Sequence, residues 1–215
     1  ILIIADGITA IGVEPIDTSD LDIVISGSQK ALMLPPGLSM MGLSKKAIQR
    51  IGDGKGYYLN LASEVKKQSQ NTTAYTAPTT LIVGLLAMFE EIEKEGGLEK
   101  LYADTKKRAR AVRNALMELR LELYPDVPAK SMTTIISKNA NGIKTLLKEK
   151  YGVNLAGGQD HLKGKIFRIN QMGLIKPYEL AWVVNSIELA LEDLDVRAYD
   201  GTANRVFNEV YFKET

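Results

Sequence analysis

The sequence holds no cysteine and a single histidine, His161, among its 215 residues. Disulfides, thiolate metal sites and a cysteine nucleophile are thereby excluded for this stretch, and no histidine cluster can be assembled for a catalytic metal. The expectation is no metal site and a reducing compartment. Charge of one sign is also missing. Lys plus Arg number 27 and Asp plus Glu 26, a net charge of +1, which gives no electrostatic case for nucleic acid or an anionic membrane as partner. No apolar run approaches the ~20 residues of a membrane span, and no segment reads as a secretory signal, so the cytoplasm is the expected location. What is present is a composition 45% hydrophobic and 25% charged, enough for one large domain or two modest ones.

Three short apolar runs open the chain: "ILIIA" at residues 1–5, "LDIVIS" at 21–26 and "LSMMGL" at 38–43. Runs apolar at every position suggest strands from the covered middle of an α/β sheet. The chain begins inside such a run, which leads to the expectation that an N-terminal part precedes it. Between the first two runs stands "TAIGVEPIDTSD", too short for a full crossover helix, so a short helix or an irregular link is expected. Ser44 caps a short helix that Gly52 stops. Residues 52–77 are Gly-rich, polar and poor in periodicity, and read as a long loop. From Pro78 a helix runs to the Gly96-Gly97 stop. A longer one follows to about Leu121, with Leu101, Ala109, Val112, Leu116 and Leu119 on one face.

Beyond that point the order becomes βαββα: "SMTTIISK", "NGIKTLLKEKYG", "VNLAGG", "KIFRINQMG" and "KPYELAWVVNSIELALEDL". This is an α+β unit in which helices cover one face of a small sheet. The domain boundary falls near Gly96-Gly97, giving domains 1–96 and 97–215. The tail from Asp195 to Thr215 ends polar and is expected to be peripheral.

Asp6 ends the first run, and Lys30 follows the second at the start of a loop stiffened by Pro35-Pro36. Taken singly they could be a turn-capping Asp and a solvated Lys. Together they lie at the C-terminal ends of neighbouring strands, where open α/β sheets place their ligands. A lysine held at such an edge can be kept from water, which favours a nucleophilic amine. A Schiff-base lysine, with an Asp for a pyridinium nitrogen, is the protein signature of pyridoxal 5'-phosphate (PLP) chemistry.

The stretches "ADGITAIG", "SGSQKALMLPPGLSMMGLS", "TTAYTAPTT" and "GGQDHLKGKIFRINQMG" occur in that order, and together they resemble class V PLP-dependent aminotransferases, the serine-pyruvate and alanine-glyoxylate aminotransferase group. The resemblance fades after about Asp195. It implies part of the fold type I large domain, α/β, with three sheet strands and the Schiff-base lysine in residues 1–96, and a small α+β C-terminal domain in 97–215. It also implies that Lys30 is the catalytic Schiff-base residue, that Asp6 binds the pyridine nitrogen, that Ile8 packs on the ring and that Gln29 lies beside it. Thr76 matches a threonine that reaches the cofactor phosphate of a neighbouring subunit, hence a homodimer with shared sites. Thr73 stands where relatives often have tyrosine, which leaves that role open between Thr73 and Tyr75. Arg168 matches the arginine that holds the substrate carboxylate, a task suited to its planar fork.

By residue type alone, Ile8 also suits plain core, Thr76 a helix cap and Arg168 a surface ion pair. Relatives carry a Gly-rich phosphate-binding turn upstream of the Asp strand, so residues 1–215 alone are expected to bind cofactor poorly and to be inactive. The implied activity is transamination between serine, alanine or aspartate and pyruvate, glyoxylate or 2-oxoglutarate. The alternatives are a non-enzymatic hydrogenase-associated or interaction subunit of the same fold, or another fold type I PLP enzyme. A cysteine desulfurase lacks its thiol here, and a nucleotide-binding domain lacks its glycine phosphate loop.

Overall fold

The computed structural model describes residues 1–213. The chain forms two compact units, Ile1–Glu95 and Gly96–Thr215.

In the first unit, β1 (Ile4–Asp6), β2 (Ile23–Gly27) and β3 (Ser39–Leu43) form one sheet in that order. β1 and β2 run parallel with Asp6 opposite Ile25, and β3 returns antiparallel to β2. The link from β1 to β2 carries no full helix. It is a run of turns closed by Ala10 and Ile11 N–H to Gly7 O and by Val13 N–H to Ala10 O. The expectation of three covered strands holds only for β2. Ile3 and Ile4 are exposed, as is Met41 on β3, while Ala5, Met40 and Leu43 are half-buried.

Helix α1 (Lys45–Ile51) starts at Ser44, whose Oγ accepts from Ala47 N–H, and stops at Gly52 with φ 54°. Helix α2 (Leu61–Gln68) lies inside the stretch expected to be loop. Its apolar positions are sparse, but Asn60 caps it through Ser63 N–H and Glu64 sits in its first turn, a start signal legible in the sequence. Helix α3 (Thr79–Lys94) begins at Pro78, whose missing N–H costs nothing there. Asp22, buried just before β2, accepts from Ile3 N–H, Ser44 Oγ and Lys46 Nζ, so one carboxylate ties the start of β1 to α1.

In the second unit, α4 (Gly97–Glu118) precedes an antiparallel sheet of β4 (Glu122–Leu123), β5 (Met132–Ile136), β6 (Ala156–Gly157) and β7 (Ile166–Asn170), ordered β4-β5-β7-β6. Helices α5 (Ala140–Glu149), α6 (Pro177–Asp193) and α7 (Thr202–Asn208) complete it. The core joins Val112 and Leu116 of α4, Ile143 and Leu147 of α5, Phe167 and Ile169 of β7, and Val184 and Ile187 of α6.

The tail is not peripheral. Ala203 and Phe207 of α7, and Val210 in the π-helical turn Glu209–Lys213 that follows, are buried in the same core. The polar look of the segment hides an apolar spacing of 203, 207 and 210, one helical face. Its anchor is Glu188 of α6, fully buried, which accepts from the N–H groups of Thr202 at 3.1 Å and Ala203 at 2.9 Å. Positions 214–215 of that tail lie outside the described residues.

Two expectations follow. Phe207→Ala should lower the stability of the second unit by about 3–5 kcal/mol, read from its urea midpoint. The hydrogen bonds to Asp22, that of Ile3 N–H foremost, hold its carboxyl below the ordinary value of 3.8. A depressed folded-state value adds stability above 3.8 that is lost as the pH falls through the folded value. An acid titration of the first unit's stability should therefore steepen below pH 3.8, and Asp22→Asn should flatten that limb.

Candidate active site

The parallel pairing of β1 and β2 puts two loops at one edge of the sheet. Asp6 ends β1, and its Oδ1 accepts from Ile8 N–H at 3.0 Å, an Asx turn that fixes the carboxylate's orientation. Gly7 N–H then donates to Ile25 O at 2.9 Å, which carries the ladder one step past the strand. Ile8 is half-buried and Asp6 exposed.

The lysine loop after β2 hangs on Ser28, which is fully buried. Ser28 N–H donates to Leu38 O, and Ser28 O accepts from Leu34 N–H. Its hydroxyl donates to Pro35 O at 2.8 Å and accepts from Leu38 N–H. Backbone and side chain of one residue thus close the loop that Pro35-Pro36 stiffens. Ala31 and Leu32 are buried, which plugs the loop into the unit on one side of Lys30. A Cβ at Gly12 would lie 2.8 Å from Ala31 Cβ, so the loop of Asp6 and the loop of Lys30 touch where only glycine fits. Gly84 of α3 makes similar room for Leu34. Lys30 is half-buried, and its Nζ makes no hydrogen bond or ion pair among the described residues. Gln29 is exposed and folds its amide back over Gly27.

Thr76 is exposed and does not cap α3, whose cap position is Pro78 with no side-chain cap bond. The helix-cap alternative is thereby set aside. Thr73 donates to Tyr75 O, and the Tyr75 hydroxyl is engaged with Tyr57 O. Tyr57 and Tyr58 pack edge-on to the Tyr75 ring at 6.1 and 5.0 Å.

A cleft of about 380 Å³ opens between β3, α2 and α3, lined by Leu38, Met41, Leu43, Val65, Ile82 and Leu85. Its titratable residue, Glu64, is occupied by Ala74 N–H and Gln68, so the cleft carries no reactive group.

In the second unit, Arg168 sits mid-strand on β7 opposite Thr134 and Ala156, half-buried, with Nε donating to Gly157 O at 3.1 Å. It is not the surface ion pair that residue type alone allowed. Just past β7, Gln171 is fully buried and donates from Nε2 to Thr133 Oγ1. Arg108 of α4, also buried, is a residue the sequence reading missed: it donates to Gln171 O, Gly173 O, Ile175 O and Thr105 Oγ1. Burial pushes its guanidinium below the ordinary arginine range. Its spacing from Leu101 and Val112 puts it on the buried face of α4, the one local signal that could have found it, and the charge of the run "KKRARAVR" masked that signal.

A family model described as Aminotransferase class-V matches residues 1–175. The chain belongs to the class-V aminotransferases. It is 49% identical over 214 residues to an uncharacterized aminotransferase of Helicobacter pylori, covering 99% of this chain and 58% of that protein. It is 36% identical over 201 residues to the soluble hydrogenase 42 kDa subunit of Anabaena cylindrica, covering 90% of this chain and 52% of that protein. The solved subgroup IV aspartate aminotransferase of Thermus thermophilus is 31% identical with a TM-score of 0.81, over 89% of this chain and 56% of that one. The class-V aminotransferase chain thus spans little more than half the length of these relatives. Class-V aminotransferases are PLP-dependent enzymes of fold type I.

The donor set fits that cofactor. An oriented carboxylate for a ring N–H and an amine with no competing partner stand at the carboxyl ends of adjacent parallel strands. Replacing Ser28 by Ala should leave the Leu38 N–H and Pro35 O without a partner. The expected cost is about 1–3 kcal/mol of stability, with faster amide hydrogen exchange at Leu38 as its local sign.

Proposed function

We propose that the protein containing this chain transfers an amino group between a small amino acid (serine, alanine or aspartate) and a 2-oxo acid such as pyruvate, glyoxylate or 2-oxoglutarate. The observation that carries this is the β1–β2 pairing, which sets Asp6 and the Ser28-pinned loop of Lys30 at one sheet edge. PLP, when bound, supplies an electron sink for the bond-breaking step. Lys30 would tether it through Nζ and, once released, take up and return the substrate Cα proton. Asp6 would keep the ring nitrogen protonated, Ile8 would pack on the ring and Gln29 would lie beside it. Thr76 would reach the phosphate of a neighbouring subunit in a homodimer with shared sites. Arg168 would hold the substrate carboxylate with its two-pronged guanidinium. In this reading residues 1–96 belong to the large cofactor domain, 97–215 form the small domain, and the enzyme works in the cytoplasm without a metal.

The likeness to a soluble hydrogenase subunit favours a second reading, an assembly subunit of the same fold. One experiment separates them. Full-length protein loaded with PLP should show the visible absorbance band of lysine-bound cofactor, and adding serine, alanine or aspartate should convert it to the amine form. Lys30→Ala should abolish the band. A band that survives Lys30→Ala overturns the lysine assignment, and a wild-type band that no amino acid converts supports the assembly subunit.

A further inference from the structure

Arg108 is a buried cation that makes no ion pair among the described residues. Placing a guanidinium away from water without a carboxylate is costly unless its N–H groups are taken up. Here they are: Nε goes to Gln171 O at 3.2 Å, Nη1 to Ile175 O at 2.9 Å, and Nη2 to Gly173 O at 2.6 Å and Thr105 Oγ1 at 2.9 Å. The acceptors at 171, 173 and 175 alternate along one loop, so one side chain gathers the carbonyls that point one way. That loop begins where β7 ends.

On β7 the faces alternate. Phe167 and Ile169 point into the core, while Arg168 and Asn170 are half-buried and exposed. A slip of one residue in a strand exchanges its faces, which would drive Arg168 into the core and Phe167 out. Gln171 is the point where the register is fastened. Its N–H donates to Ser131 O, its side chain to Thr133 Oγ1, and its carbonyl accepts from Arg108. An apolar residue at position 108 could fill volume but could not hold three carbonyls.

We infer that Arg108 is a positioning residue for the substrate clamp, fixing the exit of β7 so that Arg168 keeps its face and height on the strand. This rests on the reading of Arg168 as the carboxylate-binding residue. Arg108 touches neither substrate nor cofactor in this account, and it acts through the 171–175 loop. Lysine could not replace it, because a single ammonium cannot span acceptors at three successive alternate residues.

The test is steady-state kinetics on the full-length, cofactor-loaded enzyme. Arg108→Met should raise KM for both the amino acid and the 2-oxo acid by about 10-fold or more, with kcat changed far less and the cofactor band unaltered. Arg108→Lys should fall between, and it carries the test if the Met variant does not fold. In an Arg168→Ala background, Arg108→Met should add little further increase in KM, since the two residues then act as one. Unchanged KM in both Arg108 variants, or effects that multiply independently with Arg168→Ala, would overturn the assignment while leaving the transaminase reading intact. A wild-type enzyme that does not transaminate at all would instead sink that reading, and this one with it.

Discussion

The parallel ladder of Ile4, Ala5 and Asp6 on Ile23, Val24 and Ile25 is the constraint on which the proposed site depends. It is short, three pairs, yet it sets which residues of two separate loops share an edge. Because the strands run the same way, both chains leave the sheet at one end. The carboxylate comes from the first exit and the amine from the second. Had β2 run antiparallel, Lys30 would sit at the opposite end of the sheet from Asp6, and no adjustment of side-chain rotamers could bring them to one ligand.

Most of the first unit was legible because its signals are local. Asp6-Gly7, Ser44 with Gly52, and Pro78 before an apolar helix each carry their geometry in the residue type: a turn former, a cap, a fixed φ. The lysine loop was legible as stiff, but the residue that closes it was not. Ser28 reads as one more small polar residue in "SGSQK", and only its four hydrogen bonds reveal it as the peg. The apolar run of β1 is a signal of another kind: apolar composition reports what a strand would bury, and among the described residues Ile1, Ile3 and Ile4 are exposed.

In the second unit the difficulty is buried polarity. Arg108, Gln171 and Glu188 are all nearly inaccessible, and sequence patterning assigns such residues to the surface by default. Each earns its place through partners distant in the chain: Arg108 and Glu188 through backbone groups, Gln171 through Thr133 as well. Separations of 63 to 67 residues for Arg108 leave no trace in any local window. The tail was lost in the same way, since Glu188 reaches forward to the start of α7 and makes a polar-looking segment part of the core.

The contact between Gly12 and Ala31, at which a methyl group would intrude to 2.8 Å, has a bearing on how this protein can drift over generations. Gly12 also sits at φ +78°, a backbone state that side chains disfavour. The two positions are therefore not free to vary singly: enlarging either one pushes apart the loops that present the carboxylate and the amine. Substitutions there would have to arrive as compensating pairs, or as a change in the link between β1 and β2. Two residues with no reactive group of their own thus constrain the inheritance of those that have one.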